Sequence, residues 1–105
     1  MENEDSIITD PLGHAVHLPR ELCLLVPEVE GEVYDELATV IEKPAVLIRL
    51  TNLPTELIYY RSIGWNNTLL IKVRDTGKSW LAYSCARNPD IAQLAQLIKQ
   101  GEQLI

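Results

Sequence analysis

ELIYYRSIGWNNTLLIKVRDTGKSWLAYS, residues Glu56 to Ser84, decides the fold of this 105-residue chain. Apolar residues recur in it with a period of two, which places alternate side chains on opposite faces of a strand. In Glu56 to Ile63, one face carries Leu57, Tyr59, Arg61 and Ile63, the other Ile58, Tyr60 and Ser62. In Thr68 to Arg74, Leu69, Ile71 and Val73 oppose Leu70, Lys72 and Arg74. In Ser79 to Cys85, Trp80, Ala82 and Ser84 oppose Leu81, Tyr83 and Cys85. Gly64-Trp65-Asn66-Asn67 and Asp75-Thr76-Gly77-Lys78 separate these runs, and glycine, asparagine and aspartate suit the tight turns of antiparallel hairpins. Three consecutive antiparallel strands follow from this reading.

Working outward, Ala45 to Leu50 also alternates and supplies a fourth strand. Before it, Val29, Val33, Leu37, Val40 and Ile41 form a helical stripe over Glu30 to Glu42, closed by Pro44. Pro19 opens a shorter helix whose Leu22 to Val26 are apolar on all sides, which predicts a largely buried segment ended by Pro27. Ser6 to Thr9 and His14 to Leu18 flank Asp10-Pro11-Leu12-Gly13, a hairpin signature. Asn88-Pro89-Asp90 reads as a helix entry with Asn88 as N-cap, and Lys99 followed by Gly101 as its end. The expected fold class is α+β: an N-terminal short hairpin and two helices, a four-stranded mainly antiparallel meander, and a C-terminal helix. Residues 1–5 read as a mobile acidic tail and residues 6–105 as a single domain.

Composition narrows the functional classes. Hydrophobic residues make up 47% and charged residues 23% of the chain, an ordinary globular balance. No apolar run approaches the ~20 residues that span a bilayer, and the opening MENEDS is acidic where a secretory signal is basic. No membrane association and a cytoplasmic location are therefore expected. Cys23 and Cys85 stand far apart and predict two thiols in a reducing compartment. Eleven of the fifteen acids but only two of the nine bases lie in residues 1–43, so the halves of the chain differ in sign. The net charge of -6 opposes tight non-specific binding to nucleic acid, while leaving room for a local basic face.

The candidate constellation lies on the meander. Arg61, Lys72 and Tyr83 are the candidate catalytic residues, and Arg49, Tyr60, Trp65, Arg74 and Arg87 are candidate binding residues. Arginine and lysine neutralise phosphate through charge-assisted hydrogen bonds, and tyrosine stacks on bases or donates its hydroxyl. A half-solvated sheet carries the same residue types without any such role. Parity also puts Arg61 out of step with its neighbours unless a bulge shifts the register. Trp65, in a turn, either folds back on the core or marks a contact patch. His14 and His17 point to opposite sides of a regular strand, so no metal site is expected. There is no Gly-rich phosphate loop and no GxSxG elbow, and no cofactor is expected.

The order of these signals resembles the phage-associated branch of the barnase/EndoU/colicin/RelE-like ribonuclease fold. The matching segments are Thr9-Asp10-Pro11-Leu12-Gly13 with Val16 and Leu18-Pro19, then Pro27-Glu28, Glu42-Lys43-Pro44, Tyr59-Tyr60-Arg61, Leu69 to Val73, Ala82-Tyr83, and Ile98 to Glu102. The resemblance implies metal-independent RNA cleavage with the 2′-hydroxyl as nucleophile, assisted by a histidine, basic residues and a hydroxyl residue on the sheet. Two departures stand out. Val26-Pro27-Glu28 occupies the family's His-Pro-Glu position, and Leu81-Ala82-Tyr83 its Thr-Ala-Tyr position, so Arg61 and Tyr83 carry over while a general acid or base is missing. Two readings follow. The favoured one is a non-catalytic interaction module with a divergent RNase-like fold and a protein partner; the alternative is a toxin-like RNA endonuclease using Arg61, Lys72 and Tyr83 at the scissile phosphate. The sequence leaves the oligomeric state open.

Overall fold

The structure, a computed structural model, describes residues 6–25, 33–52, 55–65 and 67–105. The expected acidic tail, Val26 to Glu32 with the Pro27-Glu28 motif, Leu53-Pro54 and Asn66 lie outside the described residues. In chain order the elements are β1 (Ser6–Thr9), β2 (Ala15–Leu18), a 3₁₀ helix (Arg20–Leu25), α1 (Val33–Glu42), β3 (Val46–Leu50), β4 (Glu56–Gly64), β5 (Asn67–Asp75), β6 (Trp80–Arg87), α2 (Ile91–Gln100) and β7 (Gly101–Gln103).

These strands form one mixed seven-stranded sheet in the order β1-β2-β6-β5-β4-β3-β7. The expected four-stranded meander, preceded by two helices, is thereby corrected. Strands β3 to β6 occupy its middle, but the N-terminal hairpin joins the same sheet through parallel pairing of Val16 with Trp80 and His17 with Leu81. At the opposite edge, β7 pairs antiparallel with β3, Gly101 opposite Leu50 and Gln103 opposite Ile48. Both additions are non-local pairings, which local periodicity does not encode. The first expected helix is a six-residue 3₁₀ segment that begins directly after Pro19.

The two helices cover opposite faces of the sheet. On the α1 side, Tyr34, Leu37, Val40 and Ile41 bury against Leu47, Leu57, Tyr59, Leu69, Ile71 and Val73. On the α2 side, Leu94 packs with Ile48, Ile58 and Leu70. Full burial of a large apolar side chain contributes about 1.5–3 kcal/mol, so the more populous α1 side carries most of the stabilisation. Near the middle of β4 and β5 both faces are covered, so burial there is continuous over Leu57 to Tyr59 and Leu69 to Ile71 and both parities are apolar.

Two local details differ from expectation. The N-cap of α2 is Asp90, whose side chain accepts from the Ala92 amide, and not Asn88. Asn88 instead has φ of 53° and ties β6 to β5, its side-chain oxygen accepting from the Thr68 amide at 2.9 Å. Gly101 ends α2 in an extended conformation and begins β7 at once.

Candidate functional site

Strand parity sorts the candidate residues into two groups that do not meet. In β4, Leu57 and Tyr59 belong to the α1-side core, and Arg61, two residues on, points the same way. Its guanidinium donates to the Lys43 carbonyl at 2.8 Å, just beyond α1. The irregularity in β4 falls between Ser62 and Gly64, after Arg61, and leaves its side unchanged. In β5, Leu69, Ile71 and Val73 face α1, which turns Lys72 and Arg74 toward the α2 side. Tyr83 joins them there. The pairing steps from Val73 opposite Ala82 to Lys72 opposite Ser84, leaving Tyr83 as the extra residue of a bulge.

That bulge reverses the remainder of β6. Cys85 faces the α1-side core, its thiol donating to the Leu22 carbonyl at 3.5 Å. Arg87 likewise turns to α1, where it meets Glu36 at 3.5 Å and the side-chain oxygen of Asn67. Arg49 lies at the β3–β7 edge and pairs with Glu102 at 2.8 Å. Tyr60 is half-buried against the α2-side cluster. Trp65, at the β4–β5 turn, is 94% exposed and does not fold back onto the core. Lys72, Arg74 and Tyr83 are thus brought together on one face, while Arg61 and Arg87 stand on the other.

Around Tyr83 the geometry is close. Its hydroxyl donates to a carboxylate oxygen of Glu56 at 2.5 Å, and the Arg74 guanidinium lies 4.1 Å from its ring centroid. Burial and then the bond to the Glu56 carboxylate push the phenol above its ordinary pKa, with Arg74 opposing them. Tyr83 is consequently a proton donor at neutral pH and holds no phenolate. Glu56 was not singled out by sequence reading; its position at the start of β4, on the parity of Ile58, is the signal that identifies its side.

A second polar cluster was also missed. Asp10, only 3% exposed, accepts from the Tyr59 hydroxyl at 2.6 Å, His14 Nδ1 at 2.7 Å, and the amides of His14 and Leu12 at 2.8 and 2.9 Å. Burial alone drives its carboxyl pKa up, but the bonds from Tyr59 and His14 outweigh that and hold it below its ordinary value. Burial, and then Asp10 itself, push the Tyr59 phenol strongly upward. His14 also stands edge-on to Trp80, ring centroids 5.2 Å apart. The hairpin signature Asp10-Pro11-Leu12-Gly13 foretold the turn but not its buried tyrosine, which comes from a strand 49 residues away.

A cleft of about 530 Å³ lies between α1 and the end of β4, lined by Asp35, Glu36, Thr39, Arg61, Ser62 and Ile63. A smaller one, about 240 Å³, lies between α2 and strands β5 and β6, with Lys72 and Ser84 in its lining. Among the described residues, no group of three or more histidine, cysteine, aspartate or glutamate side chains is placed to hold a metal ion. No described helix is long and apolar enough to cross a membrane. Comparison with protein-family models, with curated proteins and with solved structures finds no match.

Proposed function

We propose that this chain is a small non-catalytic interaction module of the cytosol, binding a protein partner through the Trp65 turn and the adjoining α1–β4 cleft. The observation that carries this reading is Trp65 itself. An indole 94% exposed on a hairpin tip gains nothing from the fold, whereas tryptophan is among the residues that dominate binding energy once a partner covers them. Arg61, Ser62 and Ile63 lead directly into that turn and line the cleft with Asp35, Glu36 and Thr39. The surface offers an aromatic anchor, a cation and acids together. The divergent RNase-like ancestry suggested by the sequence fits such a module, since Arg61 and the pair Lys72 and Tyr83 lie on different faces of the sheet.

One observation keeps a second reading in view. Glu56, Tyr83 and Arg74 are in mutual contact beside Lys72 on the α2 side. A carboxylate, a phenol and cations are the groups that metal-independent RNA cleavage uses at a phosphate. The alternative is a toxin-like endonuclease, with Arg74 and Glu56 replacing Arg61 in the site.

Two measurements separate the readings. Purified protein is incubated with labelled single-stranded RNA without metal, beside Arg61→Ala and Lys72→Ala variants. The module reading expects intact RNA throughout; cleavage abolished by Lys72→Ala establishes the endonuclease. Proteins cross-linked to the native chain are then compared with those captured by Trp65→Ala. Loss of a specific partner with Trp65→Ala and its retention with Lys72→Ala are expected, and identical capture by all three refutes the module reading.

A further inference from the structure

The α2-side cleft differs from the rest of its face in how its polar groups are satisfied. Arg74, Tyr83 and Glu56 engage one another. The side chains of Lys72, Ser84 and Gln93, all lining the cleft, have no hydrogen-bond or ion-pair partner among the described residues. Lys72 and Ser84 are cross-strand neighbours in one row with Ile58, so their polar ends rise side by side from the sheet. Leu70, Leu94 and Leu97 supply the apolar part of the lining, and no acidic side chain contributes to it.

From this arrangement we infer that the cleft between α2 and strands β5 and β6 is a binding site for a small amphipathic monoanion, a medium-chain carboxylate. Lys72 is the cation in the lining, and the next one, Arg74, is already matched by Glu56 through Tyr83. One uncompensated positive charge suits a carboxylate better than a doubly charged phosphate. Ser84 and Gln93 supply further donors for its oxygens. The leucines receive the alkyl body, and the Lys72 stem extends that apolar wall while its ammonium stays at the wet mouth. The volume of about 240 Å³ is below the usual range of drug-sized sites and suits a single alkyl chain of medium length. This inference does not rest on the partner surface at Trp65, which lies at the β4–β5 turn.

Octanoate is the probe. Titrated into the isotopically labelled full chain, it is expected to give saturable amide shifts confined to the cleft, at Leu70, Ser84 and Leu94. Acetate, which has the head alone, and octylammonium, which has the opposite charge, are expected to leave those amides unmoved. Lys72→Met weakens octanoate roughly tenfold or more, the scale of one charge-assisted hydrogen bond, and Lys72→Glu reverses the preference toward octylammonium. Circular dichroism checks that both variants fold; if either does not, the mapping and the head-group comparison on the native chain decide. Equal binding of octanoate and octylammonium, shifts scattered outside the cleft, no shift at millimolar octanoate, or unchanged affinity in folded Lys72→Met would overturn the site. Inorganic phosphate or adenosine monophosphate moving the same amides at lower concentration would overturn its assignment to a carboxylate.

Discussion

Asp10 is buried with an ionised carboxylate, and its four donors explain how. An isolated buried carboxylate would neutralise itself by binding a proton. Here both oxygens are occupied, one by the Leu12 and His14 amides and the other by Tyr59 and the His14 imidazole. The network joins the β1–β2 turn to a core tyrosine of β4, tying the hairpin to the α1-side core beside its pairing with β6. Asp10→Asn keeps the shape but turns an amide N–H₂ toward the donors or deprives them of an acceptor. Its expected cost is about 3 kcal/mol, from the loss of hydrogen bonds to a charged group plus an unsatisfied buried hydroxyl. Urea denaturation at neutral pH measures it. The pH dependence has a fixed sign: the carboxyl pKa is lower in the folded state than the ordinary 3.8, so its stabilisation is present above that value. It is lost as pH falls through the depressed folded value. The gap in stability between the native chain and Asp10→Asn should therefore narrow only in that acidic window; a gap independent of pH there would contradict the ionised-carboxylate account.

Elements were legible where their pattern is local. The helical stripe of Leu37, Val40 and Ile41 and the alternation of Leu57 to Ile63 or Leu69 to Val73 each report a covered face. Tyr34 illustrates what such patterns leave out. Its hydroxyl accepts from the Ser6 amide at 3.0 Å and donates to the Leu18 carbonyl at 3.1 Å, bracing both strands of the hairpin from α1. Gly101 to Gln103 reveal nothing of β7 either, because three residues carry too little periodicity to be read. Gly101 is the decisive residue there. A Cβ on it would strike the Ile48 side chain and lie 2.8 Å from the Arg49 carbonyl oxygen. Its backbone is extended, so the need is for space and not for a left-handed conformation. Gly101→Ala should destabilise the chain by about 1–3 kcal/mol, the range for overpacking, and should speed amide exchange in β7 and its partner β3. Wild-type exchange at Leu104 and Leu50 in this variant would show that the close approach is relieved without disturbing the edge.

At the scale of the molecule, the opposite charges of the two halves of the sequence do not become opposite faces. Strand alternation sends Arg61 to the α1 side, and the bulge at Tyr83 sends Arg87 after it, where Glu36 waits. Lys72 and Arg74 remain on the other side. A strict period of two would have kept Arg87 with Tyr83, so the bulge is the step that made the candidate surface unreadable from sequence. Trp65 escapes this ambiguity because it sits in a turn, beyond the reach of strand parity. It is 94% exposed, while Trp80 is half-buried beside His14. Trp65→Ala should leave stability within about 0.5 kcal/mol of the native value, as for exposed sites without special contacts. The same variant should remove the component of tryptophan fluorescence most accessible to acrylamide and leave the shielded emission of Trp80. Urea denaturation and quenching therefore test one premise together. A loss of more than about 1 kcal/mol on truncation, a change as large as core and network mutations produce, would mean that the indole supports the fold and is not held out for a partner.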